Sequence, residues 1–260
     1  MPPRLLETIK GEILLLKTAY RREGLGYVLR KGTIYAVSWP INILIAFYYR
    51  HLKHPRLSFT FQGQTYNYFY HSYNNTWQNE RAIEIPIIWR LLQEYRDKKI
   101  LEVGNVLRHY FPCRHDVVDL NEEYPGVVNK DISDFRPAKK YDLVISISTF
   151  EHIGWDEKPK KPKKLLTAIK NLTKNVIAPS GRLIMTVPLG YNTAMDKFLV
   201  DGKINFTNIS CFRRFSLQSN EWEEARWDEI RDKEFSTDGR WCGKNRVLII
   251  GDIQTGTSSS

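Results

Sequence analysis

From Lys99 onward the chain alternates short apolar runs with stretches of helical spacing, and this alternation restricts the possible folds more than any other feature. Leu165–Ile177 has the spacing of a helix, and Pro179 and Gly181 predict its end. Such alternation is typical of a mainly parallel sheet with helices on both faces. The sequence therefore predicts a doubly wound α/β domain, with strands at Ile100–Val103, Asp116–Asp119, Val127–Val128, Tyr141–Ser148, Arg182–Pro188 and Arg246–Ile250.

Basic charge is concentrated at the start of the chain. Residues 1–56 contain ten Lys or Arg and three acids, so they hold +7 of the formal net charge of +10. Apolar residues recur at steps of three and four over residues 5–20 and predict a helix, and three glycines between residues 24 and 32 predict a loop after it. The main domain carries little of the net charge.

The apolar run Trp39–Tyr49 lies between Lys31 and the pair Arg50 and Lys53. A run of 11 residues is too short to cross a bilayer, which takes roughly 20. Two interpretations stay open. The run is either a core helix that caps the main domain or an interfacial segment whose basic neighbours contact anionic headgroups.

These patterns divide the chain into four parts. We expect a helical extension over residues 1–56, a lid or cap segment over 57–98, the main domain over 99–253, and a disordered low-complexity tail over 254–260. The lid segment contains a short strand at Leu57–Phe61 and a helix at Glu80–Arg96. The three cysteines have neither metal-ligand nor disulfide spacing, which predicts no metal site and favours the cytoplasm.

Polar side chains cluster where the predicted strands end, which is where open α/β sheets bind ligands. A glycine there lets the backbone approach a ligand, a first carboxylate can face an ammonium group, and a second can accept both hydroxyls of a ribose. An acid beside an apolar side chain can hold an adenine. The candidates are Glu102, Gly104, Asn105, Asp119, Leu120, Asp131, Ile132, Ser146 and Ser148.

Five segments, in chain order, resemble successive motifs of the class I S-adenosylmethionine-dependent methyltransferases. They are Leu101-Glu102-Val103-Gly104, Val118-Asp119-Leu120, Lys130-Asp131-Ile132, Tyr141–Val144 with Phe150–Ile153, and Gly181–Pro188. The resemblance covers about residues 99–190, and Arg246–Ile250 is similar to the family's last, antiparallel strand. It implies a seven-stranded sheet and S-adenosylmethionine as cofactor. It also implies the methionine end at Glu102 and Gly104, the ribose at Asp119, and the adenine at Asp131 and Ile132.

The first motif departs from the family pattern. Methyltransferases of this class usually continue it with further glycines, whereas here Gly104 is followed by Asn105-Val106-Leu107-Arg108. The short interval to Asp119 predicts an abbreviated helix between the first two strands. The chain also lacks the glycine patterns that bind dinucleotides or nucleoside triphosphates.

Candidate acceptor and catalytic residues surround these motifs. His152 is placed to act as a general base and Glu151 to bind the acceptor or support the base, although both could be structural residues near the cofactor. Before the sheet, Trp77 and Arg81 lie in a polar stretch that could close over the site or simply pack. Tyr191 and Asn192 follow the fifth strand, where acceptor loops lie. The lysines of residues 158–164 are interpreted as a solvated loop.

The sequence favours an S-adenosylmethionine-dependent O-methyltransferase acting on a small molecule or glycan, in the cytoplasm or peripherally at an anionic membrane. A non-catalytic binding or scaffold protein of the same fold is the alternative, because only one glycine of the first motif is present. A nucleic-acid methyltransferase is disfavoured, because the basic charge is confined to the extension and Ser146-Ile147-Ser148-Thr149 lacks a base-flipping signature.

Overall fold

The computed structural model describes residues 17, 20–21, 23–53, 57–216, 220–231 and 247–256. The helices are α1 (Leu25–Tyr48), α2 (Arg81–Glu94), α3 (Lys164–Asn171), α4 (Thr193–Val200) and α5 (Trp227–Ile230). The strands are β1 (Ser58–Phe61), β2 (Gln64–Asn67), β3 (Ile100–Val103), β4 (Asp116–Val118), β5 (Val127–Val128), β6 (Tyr141–Ile147), β7 (Ile177–Pro188), β8 (Asn208–Ser216), β9 (Glu221–Ala225) and β10 (Val247–Gln254).

The main sheet has eight strands in the order β5-β4-β3-β6-β7-β10-β8-β9. The first five are parallel, with the reversal of strand order between β3 and β6, as in a Rossmann-like fold. β10 lies antiparallel between β7 and β8, so the predicted antiparallel last strand is confirmed. The doubly wound, mainly parallel sheet is also confirmed. The expected count of seven was one short, because β9 extends the edge by a hairpin with β8.

Apolar cores cover both faces of the sheet. On one face, Ile83, Ile88 and Leu92 of α2 pack with Phe59 and Phe61 of the β1–β2 hairpin. The opposite face is covered by α3, the turn after it and α4, through the buried side chains of Leu165, Ala168, Leu172, Met195 and Leu199. Strands covered on both sides carry near-continuous apolar runs, which is why β6 and β7 could be recognised in the sequence.

The helix predicted to reach Ile177 ends earlier, and the following strand begins earlier than expected. α3 ends at Asn171, a π-helical turn covers Leu172–Val176, and β7 already starts at Ile177. Pro179 and Gly181 therefore lie inside the strand instead of before it. Ser180 has φ 62° there, and the register with β6 shifts at this point, which is a bulge of the kind that accommodates proline in a sheet.

Pro86 lies inside α2 and has a structural consequence. Its missing N–H leaves the carbonyl of Ala82 without its helical donor. That carbonyl instead accepts a 2.8 Å hydrogen bond from the backbone N–H of Phe69. The proline thereby fastens the aromatic segment before α2 to the helix.

At the N-terminus the predicted loop is wrong for two of its three glycines. Gly24 has φ 82° and precedes α1, but Gly26 and Gly32 lie within the helix. Residues 39–48 of the predicted apolar run belong to the second half of α1, and Tyr49 is the first residue after the helix. The helix predicted over residues 5–20 lies almost wholly outside the described residues. At the C-terminal end, the disordered tail was predicted to begin at residue 254, but Gln254 is the last residue of β10.

Candidate functional site

A cavity of about 240 Å³ opens at the carboxyl ends of the parallel strands, at the point where the strand order reverses. Its volume is near the lower end of small-molecule sites, which span roughly 300–1,000 Å³. It brings together six of the residues predicted from the sequence. These are Gly104, Asp119, Leu120, Asp131, Ile132 and His152, joined by Val103, Val118, Asn121, Lys130, Thr149, Ile153, Gly154, Asp156, Glu157 and Lys164.

Glu102 is fully buried behind the cavity wall and not in it. Its Oε1 accepts the backbone N–H groups of Val106 and Leu107 at 2.9 and 2.8 Å, and its Oε2 lies 2.7 Å from His115 Nε2. The chain after β3 consequently turns into a 3₁₀ helix at Leu107–His109 in place of a full crossover helix, which confirms the predicted abbreviation.

Asp119 is held by backbone donors in an orientation that faces the cavity. Its Oδ1 accepts the N–H groups of Asn121 and Glu122, both at 2.7 Å, and its Oδ2 accepts the N–H of Asn105 at 3.1 Å. A carboxylate has about four lone-pair positions, so capacity for a ligand hydroxyl remains on Oδ2. Asn105 itself is buried and bonds Glu122 through its amide at 2.5 Å, which locks the loop after Gly104.

Asp131 is paired with a residue that the sequence did not single out. Its Oδ2 lies 2.5 Å from Lys164 Nζ, and its Oδ1 accepts the backbone N–H and hydroxyl of Ser133. Burial raises the pKa of Asp131, but the bonds from Lys164 and Ser133 outweigh it and the net pKa is lowered. Lys164 also pairs with Glu157, so it bridges two acids at the cavity instead of lying in a solvated loop. Its place at the start of α3 was the only signal available in the sequence.

His152 belongs to a hydrogen-bonded chain on the rim of the cavity. Its Nδ1 lies 2.7 Å from Asp156 Oδ2, and the hydroxyl of Tyr191 donates to the two oxygens of Asp156 at 2.9 and 3.1 Å. The rings of His152 and Tyr191 are 4.7 Å apart. Asp156 follows His152 by four residues, and that spacing was the overlooked sequence signal. The side chain of His152 is 42% exposed, and its other nitrogen, Nε2, lies 3.7 Å from Glu151 Oε1, beyond hydrogen-bond distance.

Glu151 does not line the cavity and is buried next to an ionic cluster, with its Oε1 3.7 Å from His152 Nε2. In the cluster, Arg81 pairs with Glu84 at 3.0 Å, and Glu84 accepts the hydroxyl of Ser148 at 2.5 Å. Burial raises the pKa of Glu80 to about 7, with a further increase from the charge of Glu84. Burial also raises the pKa of Glu151 well above its ordinary value, which favours its protonated form.

The other predicted site residues have structural contacts. Ser146 donates to the backbone carbonyl of Val103 at 3.0 Å and joins β6 to β3. Trp77 is buried and stacks on Tyr49, with ring centroids 6.0 Å apart. Asn192 caps α4 by accepting the N–H of Met195, and its amide donates to the carbonyl of Glu151. None of the three lines the cavity.

Gly104 has a second reason to be glycine besides ligand access. Its φ is +90°, which side chains rarely adopt, and a Cβ at this position would overlap the hydroxyl of Thr149. The close approach of β3 to the loop after β6 therefore constrains residue 104 within the protein itself.

Comparison with known proteins gives distant structural similarity alone. No protein-family model and no curated protein matches the sequence. The N-methyltransferase NodS from Bradyrhizobium japonicum is 12% identical over 68% of this chain and 98% of its own, with a TM-score of 0.38. The StiE O-methyltransferase domain is 10% identical over 68% and 76%, with the same TM-score. An S-adenosylmethionine-dependent methyltransferase from Clostridium acetobutylicum is 12% identical over 83% and 99%, with a TM-score of 0.35. At these values an activity has to be argued from the residues of the cavity.

Replacing Gly104 tests the constraint at the end of β3. Gly104→Ala combines a left-handed backbone with the overlap at Thr149, and we expect it to lower the free energy of unfolding by about 2 kcal/mol or more. Gly63→Ala is the matched control, because Gly63 has φ +74° but open space around it, and should cost only about 1 kcal/mol. Urea unfolding measures both, and equal losses would contradict the overlap.

The raised pKa of Glu151 predicts how stability depends on pH. Because the folded state binds this proton more tightly than the unfolded state, the contribution of Glu151 is present at low pH and is lost as pH rises through the folded pKa. Glu151→Gln mimics the protonated acid, so its stability relative to the parent should rise between about pH 5 and about pH 8.

Glu157→Gln supplies a control that should not respond to pH over that range. Hydrogen bonds from Lys164 lower the pKa of Glu157, so its stabilising contribution is fully present above the unfolded pKa and is lost only as pH falls below it. The stability of the Gln variant relative to the parent should therefore stay nearly constant between about pH 5 and about pH 8. If urea unfolding at the two pH values gives the same change for both variants, the raised pKa of Glu151 is wrong.

Proposed function

We propose that the protein is an S-adenosylmethionine-dependent methyltransferase that methylates a hydroxyl group of a small molecule or glycan, in the cytoplasm at the surface of a membrane. The observation that carries the proposal is the pairing of His152 with Asp156 on the rim of a cavity that Asp119 and Asp131 also line. One end of this cavity suits a nucleoside, and the other presents a base.

The residues of the cavity fit the cofactor in their chemistry. Asp119 keeps capacity for one more donor on Oδ2 after binding its three backbone donors, which suits one ribose hydroxyl. Asp131 and Ile132 offer an acceptor and an apolar face for adenine, although Lys164 already occupies part of the carboxylate. Gly104 lines the cavity at the end of β3, which is where the methionine portion would lie. The role of Glu102 in this proposal is indirect, since it positions the loop that carries Asn105.

His152 supplies what methylation of a hydroxyl requires from the protein. S-adenosylmethionine, when bound, supplies an electrophilic methyl group on a sulfonium. Because Asp156 accepts from Nδ1, the Nε2 atom of His152 is left as the proton acceptor. Nε2 would take the proton of the acceptor hydroxyl as that oxygen gains the methyl group, and the bound cofactor would supply the methyl group and retain the electrons of its carbon–sulfur bond. The hydroxyl of Tyr191 donates to the carboxylate of Asp156 and so helps to keep Asp156 in position beside His152.

Hydroxyl acceptors are favoured over amines by this arrangement. A neutral amine can attack without first losing a proton, whereas a hydroxyl gains from a positioned base. The oriented pair of His152 and Asp156 is therefore an argument for O-methylation. Among the described residues, Cys113 and Cys211 form no disulfide, which is compatible with a reducing compartment.

Binding of the product S-adenosylhomocysteine tests the cofactor part of the proposal. Calorimetric titration of the parent protein should give saturable binding. Asp119→Ala removes the expected partner of the ribose and should weaken binding by about 2 kcal/mol, roughly thirty-fold in Kd. Asp134→Ala is the matched control, because Asp134 is an exposed acid nearby that does not line the cavity.

Two outcomes would count against the cofactor assignment. Absence of binding by the folded parent protein excludes it outright. Equal affinities for the Asp119 and Asp134 variants exclude the ribose contact. Thermal unfolding of both variants is needed beside the titration, because Asp119 also holds the turn at Asn121 and Glu122.

Methyl transfer to hydroxyl compounds tests the role of His152. With radiolabelled S-adenosylmethionine and a panel of phenols, sugars and amines, His152→Ala should lower turnover on the hydroxyl acceptor by about 10²–10⁴-fold and leave S-adenosylhomocysteine affinity unchanged. Asp156→Asn should lower it by a smaller factor, because the base keeps its position but loses its charged partner. Undiminished turnover by His152→Ala would refute the base.

The same assay separates the proposal from a non-catalytic relative of this fold. A protein that binds S-adenosylhomocysteine through Asp119 but transfers no methyl group to any member of the panel would be a binding protein. Transfer to amines alone, unaffected by His152→Ala, would make the enzyme an N-methyltransferase in which His152 has no catalytic part.

A further inference from the structure

α1 meets the rest of the domain at its C-terminal end. Ile45 and Ala46 pack with Tyr70, Trp77 and Ala82. Just beyond the helix, Tyr49 stacks on Trp77, and Arg50 donates to the carbonyl of Tyr70 at 2.6 Å. The helix has 24 residues, which gives a length of about 36 Å. The contacts at its C-terminal end therefore fasten a long helix to the domain near one end.

Large apolar side chains along this helix are exposed. Leu44 of the helix and Leu52, four residues beyond its end, are each 68% exposed, and Leu29 is 62% exposed. The same holds for further residues before and within the helix. These are Tyr20, Leu25, Ile34, Ile41, Ile43, Phe47 and Tyr48. Contiguous exposed apolar surface of this kind marks a site of interaction with another molecule or a membrane.

The charge of this segment is of one sign. No acid occurs between Glu23 and Glu80, while the stretch contains Arg30, Lys31, Arg50, Lys53 and Arg56. A second copy of the chain docked on α1 would bring these like charges together, which costs free energy. An anionic lipid surface offers both an apolar layer and negative headgroups, so it complements the segment in both respects.

The helix does not satisfy the requirements for crossing a bilayer. In the described part of the chain, none of the helices combines the length and the apolar character that a membrane span needs. Pro40 interrupts the hydrogen-bonding of α1 near its middle, and Asn42 follows it. A helix lying in the plane of the interface is compatible with both features.

We propose that α1 is an in-plane membrane helix that attaches the protein to anionic lipid. Leu25, Leu29, Leu44, Phe47 and Leu52 enter the boundary between headgroups and acyl chains, and the neighbouring basic residues contact lipid phosphates. Each basic residue near such a surface contributes about 1 kcal/mol, so attachment is reversible and weakens at high salt.

Sedimentation of the full chain with lipid vesicles tests this attachment. Vesicles of phosphatidylcholine with phosphatidylglycerol should bind the protein at low salt, and vesicles of phosphatidylcholine alone should bind at least ten-fold less. Leu44→Asp should weaken binding to the anionic vesicles by at least ten-fold. Phe215→Asp is its matched control, because Phe215 is 56% exposed on β8 and is not among the residues that pack with α1, so this variant should bind like the parent.

The charge contribution is tested by a second pair of variants. Arg21→Glu with Arg30→Glu reverses two exposed bases beside and within α1 and should abolish the preference for anionic vesicles. Arg96→Glu with Lys98→Glu makes the same charge change at exposed positions after α2 and should leave it intact. Thermal unfolding and S-adenosylhomocysteine titration in solution show that each variant is folded. The titration also reports on the methyltransferase proposal independently of vesicle binding.

Three results would overturn the membrane assignment. The full chain could stay in the supernatant with anionic vesicles at low salt. Leu44→Asp and Phe215→Asp could bind equally. In the third result, the parent forms a dimer without lipid, Leu44→Asp is a monomer, and neither protein binds vesicles. α1 would then be an interface between two copies of the chain.

Discussion

The buried carboxylate of Glu102 accepts the backbone N–H groups of Val106 and Leu107 and lies within hydrogen-bond distance of the imidazole of His115. These three contacts hold the chain after β3 in place at the edge of the sheet where the cavity lies. They close the chain into a 3₁₀ turn directly after Gly104 and so fix the loop that presents the N–H of Asn105 to Asp119. One glycine and one buried acid therefore shape the loop after β3, and the cavity beside it forms without a glycine-rich turn.

Several ionisable side chains are buried beside this edge of the sheet, and removing their charges from water costs free energy. Their arrangement explains how the fold tolerates them. Glu80, Glu84 and Glu151 surround Arg81, with the Ser148 hydroxyl on Glu84. Burial and the mutual repulsion of the carboxylates outweigh the attraction of Arg81, so the pKa of Glu80 and of Glu151 is raised. Raised pKa values favour protonation, which reduces the buried charge. The cluster joins α2 to the end of β6.

The sheet and the residues at its strand ends could be predicted from sequence because both follow from local patterns. Buried parallel strands are apolar runs, and in an open α/β sheet their ends converge at one edge, which placed Gly104, Asp119 and Asp131 together. Pairings between distant segments have no such local sign. The bond of Tyr191 to Asp156 joins residues 35 positions apart, and that of Lys164 to Asp131 joins residues 33 apart. The start of β7 was predicted five residues too late for a related reason. Pro179 and Gly181 are ordinarily found outside strands, but here a register shift against β6 accommodates them inside β7.

The N-terminal helix and the cavity are connected through a short series of contacts at the same edge of the sheet. Tyr49 stacks on Trp77, Asn79 accepts the N–H of Arg81 at the start of α2, and Glu84 of α2 holds Ser148 after β6. Ser148 is followed by Thr149, which lines the cavity beside Gly104. A truncated chain that lacks residues 1–56 would lose Ala46 and Tyr49 and expose Trp77 and Tyr70 to solvent. Loss of activity in this truncation would therefore reflect damage to the domain as much as loss of a membrane contact. Point substitutions on the exposed side of α1 separate the two effects, because Leu44 and Leu29 are exposed while Ala46 carries the packing.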